Sequence, residues 1–164
     1  MRSSNQLAAS TLSKYVGPLI AVLAIVGVSL TVAMMQRLPS GPEPIAWDKE
    51  ACAYCRMHVG DPRFAAQLQT SDGQVRNYDD PGCLLSDLAA RRPPVHAIYF
   101  HDSAKEGWLK PEEVAFVSAA TTPMGYGLAA VPRGTPGSLA MEAAAERVLH
   151  DREKSAEHRE EQAR

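Results

Sequence analysis

The run ACAYCRMHVG, residues 51–60, sets three sulfur side chains within six positions: Cys52, Cys55 and Met57. Four chemistries use a cysteine pair at this spacing. A structural zinc site needs four tetrahedral ligands, usually from two such pairs. The chain has one pair, so Cys83 and a histidine would have to complete it. A thioredoxin-type redox pair opens a helix behind a strand, whereas this pair follows a proline-rich segment. A plain disulfide suits a chain outside the cytoplasm, yet with three cysteines one is left over whichever pair forms. A soft-metal seat uses more of what is present. Thiolate and thioether are polarisable donors that select Cu(I) over Mg, Ca or Mn. Cys55 and Met57, two apart, can bite one ion from a short loop.

Met124, in TTPMGYG, is the second methionine of interest. A methionine between strands ordinarily plugs a core. Here a proline precedes it and glycines follow, so the backbone can turn sharply and present the side chain. His58 follows the cysteine motif directly and is a candidate outer or transfer ligand. Cys83 falls at the start of an expected helix, where the dipole lowers a thiol pKa; it is either a third thiolate or a small buried residue, and burial is the expectation. His101 stands beside Asp102 at a strand end. His96 alternates with apolar residues, and His150 and His158 lie in the polar tail. Trp47 and Trp108 are expected to cap the core. No Gly-rich phosphate loop, G-x-S-x-G or H-E-x-x-H is present, so no enzyme is expected. The formal net charge is −2 and no basic stripe carries interleaved aromatics, which sets nucleic acid aside.

These residues need elements to position them. Residues 16–35, VGPLIAVLAIVGVSLTVAMM, hold no charge, and twenty helical residues span roughly 30 Å, the thickness of a bilayer core. A cleavable signal peptide would have a shorter apolar core and a small-x-small cleavage site. No cysteine follows the run to carry a lipid. The reading is therefore an uncleaved transmembrane anchor over 15–36. Arg2, Lys14 and the terminal amine precede it against Arg37 close behind, which puts residues 1–14 in the cytoplasm and the mildly acidic remainder outside, in the periplasm.

Residues 37–46, ending in LPSGPEPIA, read as an extended linker. RFAAQLQT and QVRNY flank an Asp-Gly and predict a hairpin. Asp80 is a good N-cap, Pro81 fits the first helical turn, and Pro93 and Pro94 end the helix. VHAIYF, EVAFVSAA and GLAAVP are strands, and a helix is expected from about Ser138. Two strand–strand–helix units fit an α+β sandwich of one or two lobes. The charged tail, residues 151–164, is expected to carry no site.

Four runs together resemble the NosL family of copper chaperones that accompany nitrous oxide reductase: C-x-x-C-x-M at Cys52, Cys55 and Met57; NYDDPGCLL around Cys83; AIYFHD at 97–102; and AFVSAATTPMGYGLAA at 115–130. They cover roughly residues 47–150. The resemblance implies two similar ββαβ-type lobes, about 47–102 and 103–150, with Cu(I) held between them by Cys55, Met57 and Met124. It also implies a chaperone taking copper from an exporter or carrier and passing it to an apo copper enzyme, nitrous oxide reductase first, or to its maturation ABC-transporter complex. Many relatives are anchored through a lipidated cysteine; the apolar segment here would reach the same place, leaving Cys52 free as a further ligand or a disulfide partner of Cys55. The rival reading is an extracytoplasmic thiol–disulfide protein using Cys52 and Cys55. A third, a structural zinc protein, would need Cys83 as much as Cys55.

Overall fold

The computed structural model describes residues 4–35, 38–162 and 164, and within its first helix the side chains of residues 16–32 and 34. The chain divides into two units, Met1–Leu38 and Pro39–Arg164.

The first unit is one helix, α1 (Ser4–Met35), with Pro18 inside it. A helix is therefore present over the expected 15–36 segment as far as Met35, with residue 36 outside the described residues. Among the described residues, however, no helix is long and apolar enough to cross a membrane. The positive charges that set the expected orientation, Arg2, Arg37 and the side chain of Lys14, lie outside the described residues, as do residues 1–3 of the expected cytoplasmic terminus.

The second unit is α+β, with two antiparallel sheets and two helices. β1 (Ala66–Thr70) and β2 (Val75–Tyr78) form the hairpin about Asp72-Gly73, with Gly73 at φ 86°. Only a glycine takes that left-handed φ without strain. The helix α2 (Pro81–Arg91) then starts on its Asp80 cap, with Pro81 in the first turn, and ends on Arg92 in the left-handed conformation just before the two prolines. β3 (Val95–His101) returns beside β1, and β4 (Trp108–Leu109) adds to its other edge, giving the order β2-β1-β3-β4. β5 (Val114–Ser118) and β6 (Leu128–Pro132) make the second sheet, and α3 (Met141–Gln162) closes the unit.

The two halves are unequal. The first is ββαβ; the second is ββα, with no strand after α3 among the described residues. β4, which falls within the 103–150 span of the expected second lobe but is not among the expected strands, pairs with β3 through Phe100–Leu109 and His101–Trp108, because the 102–107 turn is closed by the Asp102 amide donating to the Gly107 carbonyl at 2.9 Å. Phe100 of β3 meets Phe116 of β5 edge-on, with ring centroids 5.0 Å apart, so the two sheets share one core. α2 packs against β1, β2, β6 and α3.

The segment expected as an extended linker packs on β1 as a strap. β1 is buried on both faces: Ala66 and Leu68 point to the apolar core, while Gln67 and Gln69 lie under residues 41–43. Gln67 accepts from the Glu43 amide (2.8 Å) and donates to the Glu43 carbonyl (3.0 Å), and Gln69 donates to the Gly41 carbonyl (2.6 Å). Ile45 is buried behind them. Two glutamine amides thus satisfy the backbone of a segment too rich in proline to pair as a strand.

Candidate metal centre

The cysteine motif forms a tight loop. The Cys52 amide donates to the Met57 carbonyl (2.7 Å) and the Arg56 amide to the Cys52 carbonyl (3.1 Å), with Arg56 at φ 71° to make the reversal. Ala51 and His58 face each other across the base of the loop. The Ala53 amide donates to the Asn77 carbonyl at the end of β2 (2.9 Å), which docks the loop on the first sheet.

Cys83 comes from the other side. Its helix begins with the Asp80 side chain accepting from the Gly82 amide (2.8 Å). This brings the sulfurs of Cys52, Cys55 and Cys83 together, all within 4.8 Å of one another. Cys52 and Cys83 are buried and Cys55 is partly open; all three are free thiols. The expected burial of Cys83 holds, and burial here is membership of the cluster.

Proximity reshapes the acidity of the three. A hydrogen bond from Cys83 lowers Cys52 to about 5, opposed by burial and helped by backbone hydrogen bonds at Cys55, Asp79 and Tyr54. Cys83 is pushed up, first by that same bond with the Cys52 sulfur and then by burial. Cys55 is raised, chiefly by burial. Cys52 thus loses its proton more readily than its two neighbours, and the three sulfurs together form a soft donor set. Zinc would want a fourth ligand, and among the described residues no His, Asp or Glu joins the three sulfurs.

The methionines stand at the margin. Met57 leaves the loop next to His58 and is 58% exposed; Met124 is 37% exposed. Met124 is tied to the cluster's helix through its backbone: its amide donates to Asp80 Oδ2 at 3.2 Å. Tyr126 of the same loop lays its ring on Gly82, with the Ser86 hydroxyl 3.3 Å from its own. The loop also borders a cleft with Asp151, Arg152, Ser155, His158 and Arg159 of α3, so the charged tail lies against the Met124 loop. His58 is exposed, and His101 sits apart, edge-on to Trp108 at 5.3 Å.

No signal in the C-x-x-C-x-M run names Cys83 as its third member. The one available was the Asp-Pro-Gly-Cys order, which fixes that sulfur in the first turn of a helix. Arg91 was missed as well. It ion-pairs with buried Asp87 at 2.8 Å, off the hydrogen-bonding direction, and donates to the Ala53 carbonyl in the loop at 3.1 Å.

No family model matches the sequence, and no curated protein does. Among solved structures the chain is similar to the copper chaperone NosL from Shewanella denitrificans, at 19% identity and a TM-score of 0.44, over 69% of this chain and 89% of that one.

Proposed function

We propose that this chain is a membrane-tethered carrier of Cu(I), working outside the cytoplasm and delivering the ion for assembly of a copper enzyme, with nitrous oxide reductase the first client to test. The observation that carries the proposal is the convergence of the Cys52, Cys55 and Cys83 sulfurs within 4.8 Å of one another. Soft sulfur donors suit Cu(I), which is content with two or three of them.

The steps use this chain's own side chains. Partly open Cys55 and exposed Met57 meet the ion as an exporter or carrier presents it. The Cys52 thiolate draws it inward. Cys55 and Cys83 each give up a proton to solvent as the ion binds, since a metal ligand must be deprotonated. On delivery, a donor group of the apo-enzyme, or of the transporter complex that matures it, displaces the exposed thioether of Met57 or Met124. The ion passes by exchange of ligands and is never free. The role is carriage, not catalysis.

The tether rests on the uncharged stretch 16–35 and the continuous helix that contains it. It raises the local concentration of carrier near a membrane-bound client. Resistance of the full chain to an alkaline wash of membranes, with residues 39–164 cleaved by protease added outside, tests both tether and side.

The lowered pKa of Cys52 also favours a thiol–disulfide reading, in which Cys52 and Cys55 reduce another protein. One experiment separates the two: anaerobic Cu(I) titration of the reduced full chain in detergent against a chromophoric chelator. The wild type, Cys55→Ser, Cys83→Ser and Met124→Leu are compared. One tightly held Cu(I), weakened by both serine substitutions, is the expected result. Loss in Met124→Leu as well adds that thioether to the ligands. No competitive binding by the wild type sinks the copper reading and leaves the redox one.

A further inference from the structure

Tyr54 lies between Cys52 and Cys55, and its ring is bracketed by guanidinium groups from two helices. Arg91 of α2 stands 5.8 Å from the ring centroid and Arg152 of α3 stands 5.3 Å from it. Arg91 holds the loop twice, on this ring and on the Ala53 carbonyl, and is itself anchored on buried Asp87. Arg152 has no carboxylate partner among the described residues. The tyrosine ring is its recorded partner.

The three sulfurs are not held alike. Cys83 rides on a capped helix packed between the sheets, and its position follows from the core. Cys52 is buried in the core and is hydrogen-bonded by the Asp79 backbone, whereas Cys55 is partly open on the same loop, which turns through a left-handed arginine and is joined to β2 by the Ala53–Asn77 backbone bond. The distance of Cys55 from Cys83 therefore depends also on what else holds that loop. The two cations on Tyr54 do so. They also place positive charge beside a site that, with three thiolates around Cu(I), would be anionic.

We propose that Tyr54, Arg91 and Arg152 form a clasp that positions Cys55 against Cys83, so that the tail helix α3 sets how firmly the metal is kept. The ion's identity rests on the copper reading above; the clasp acts on the sulfurs with or without it.

Two rates on the full reduced chain in detergent test this, with thermal midpoints as the control for folding. One is Cu(I) release to excess chelator. The other is alkylation of Cys55 by iodoacetamide in the metal-free protein, followed by mass. Arg152→Gln should speed both rates about two- to fivefold, the worth of one cation–π contact, and Tyr54→Leu, which loses two such contacts, should speed them more, each with little change in midpoint. Arg152→Lys and Tyr54→Phe, which keep a cation and a ring, should restore both. Unchanged rates in Arg152→Gln and Tyr54→Leu overturn the clasp. So does a lowered midpoint that Tyr54→Phe fails to rescue, since that marks a packing role alone. If the wild type holds no Cu(I), the copper reading falls and the alkylation rates alone decide the clasp.

Discussion

Asp80 and Met124, forty-four positions apart, are joined by a hydrogen bond from the Met124 amide to Asp80 Oδ2 at 3.2 Å. The other oxygen caps α2 on the Gly82 amide. One buried carboxylate therefore starts the helix that carries Cys83 and fixes the loop that carries Met124. Asp80→Ala should cost about 1–2 kcal/mol for the lost cap alone, and it should also release the 122–126 loop. Urea unfolding checks the first part. Limited proteolysis checks the second, with cleavage expected near Met124 in the variant and not in the parent.

Gly82 offers a sharper probe of the same junction. A Cβ there would overlap the Tyr126 ring, which lies flat against the helix backbone. The ring must swing out, and Tyr126 is held by Ser86 and by its short loop. Gly82→Ala should destabilise by about 1–3 kcal/mol, as overpacking does, despite alanine's better helix propensity. A midpoint equal to or above the parent's would show that the loop moves freely.

The thiolate in the cluster has its own signature. Cys52 is lowered to about 5 by the Cys83 thiol, so reduced metal-free protein should show the far-ultraviolet absorbance of one thiolate at pH 7, fading as the pH falls through about 5. The sign follows from a folded value below the unfolded one. The contribution of Cys52 to stability is full above the unfolded value of 9.0 and declines as pH falls toward 5. Cys83→Ala removes the donor, so the titration should move up toward an ordinary thiol. An absorbance step unmoved by Cys83→Ala would assign the thiolate elsewhere.

Local chemistry was legible in the sequence where neighbours in the chain decide it. Asp72-Gly73 wrote the hairpin, because the turn needs a left-handed residue. Asp80-Pro81 wrote the start of α2, because cap and first turn lie side by side. Cys83 as the partner of Cys52 was not legible, since that pairing depends on how α2 packs against a loop nearly thirty residues earlier. The strap was misread for a related reason. Proline and glycine in 37–46 say only that the segment is extended; what holds it are Gln67 and Gln69, whose polarity gave no hint of burial. The tail is the exposed helical extension its composition allows, while Arg152 on one of its faces lies 5.3 Å from an aromatic ring centre.

Tyr78→Phe tests how the core reaches the loop. The buried Tyr78 hydroxyl donates to Asp87 Oδ2 at 2.7 Å, and Arg76 is farther, at 3.7 Å. Burial and this neighbour push the phenol well above its usual value, so it stays a donor at any workable pH. Phenylalanine fills the same space but leaves a buried carboxylate oxygen without its nearest donor, at a cost of about 1–3 kcal/mol. Asp87 also anchors Arg91, which holds the Ala53 carbonyl beside Cys52. An Asp87 freed on one side can rotate toward Arg91 and draw it from the loop. Tyr78→Phe should therefore lower the urea midpoint and also quicken alkylation of Cys55 in the folded protein. A loss of stability with Cys55 no more reactive than in the parent would confine the effect to the core and break the link from Tyr78 through Asp87 and Arg91 to the sulfurs.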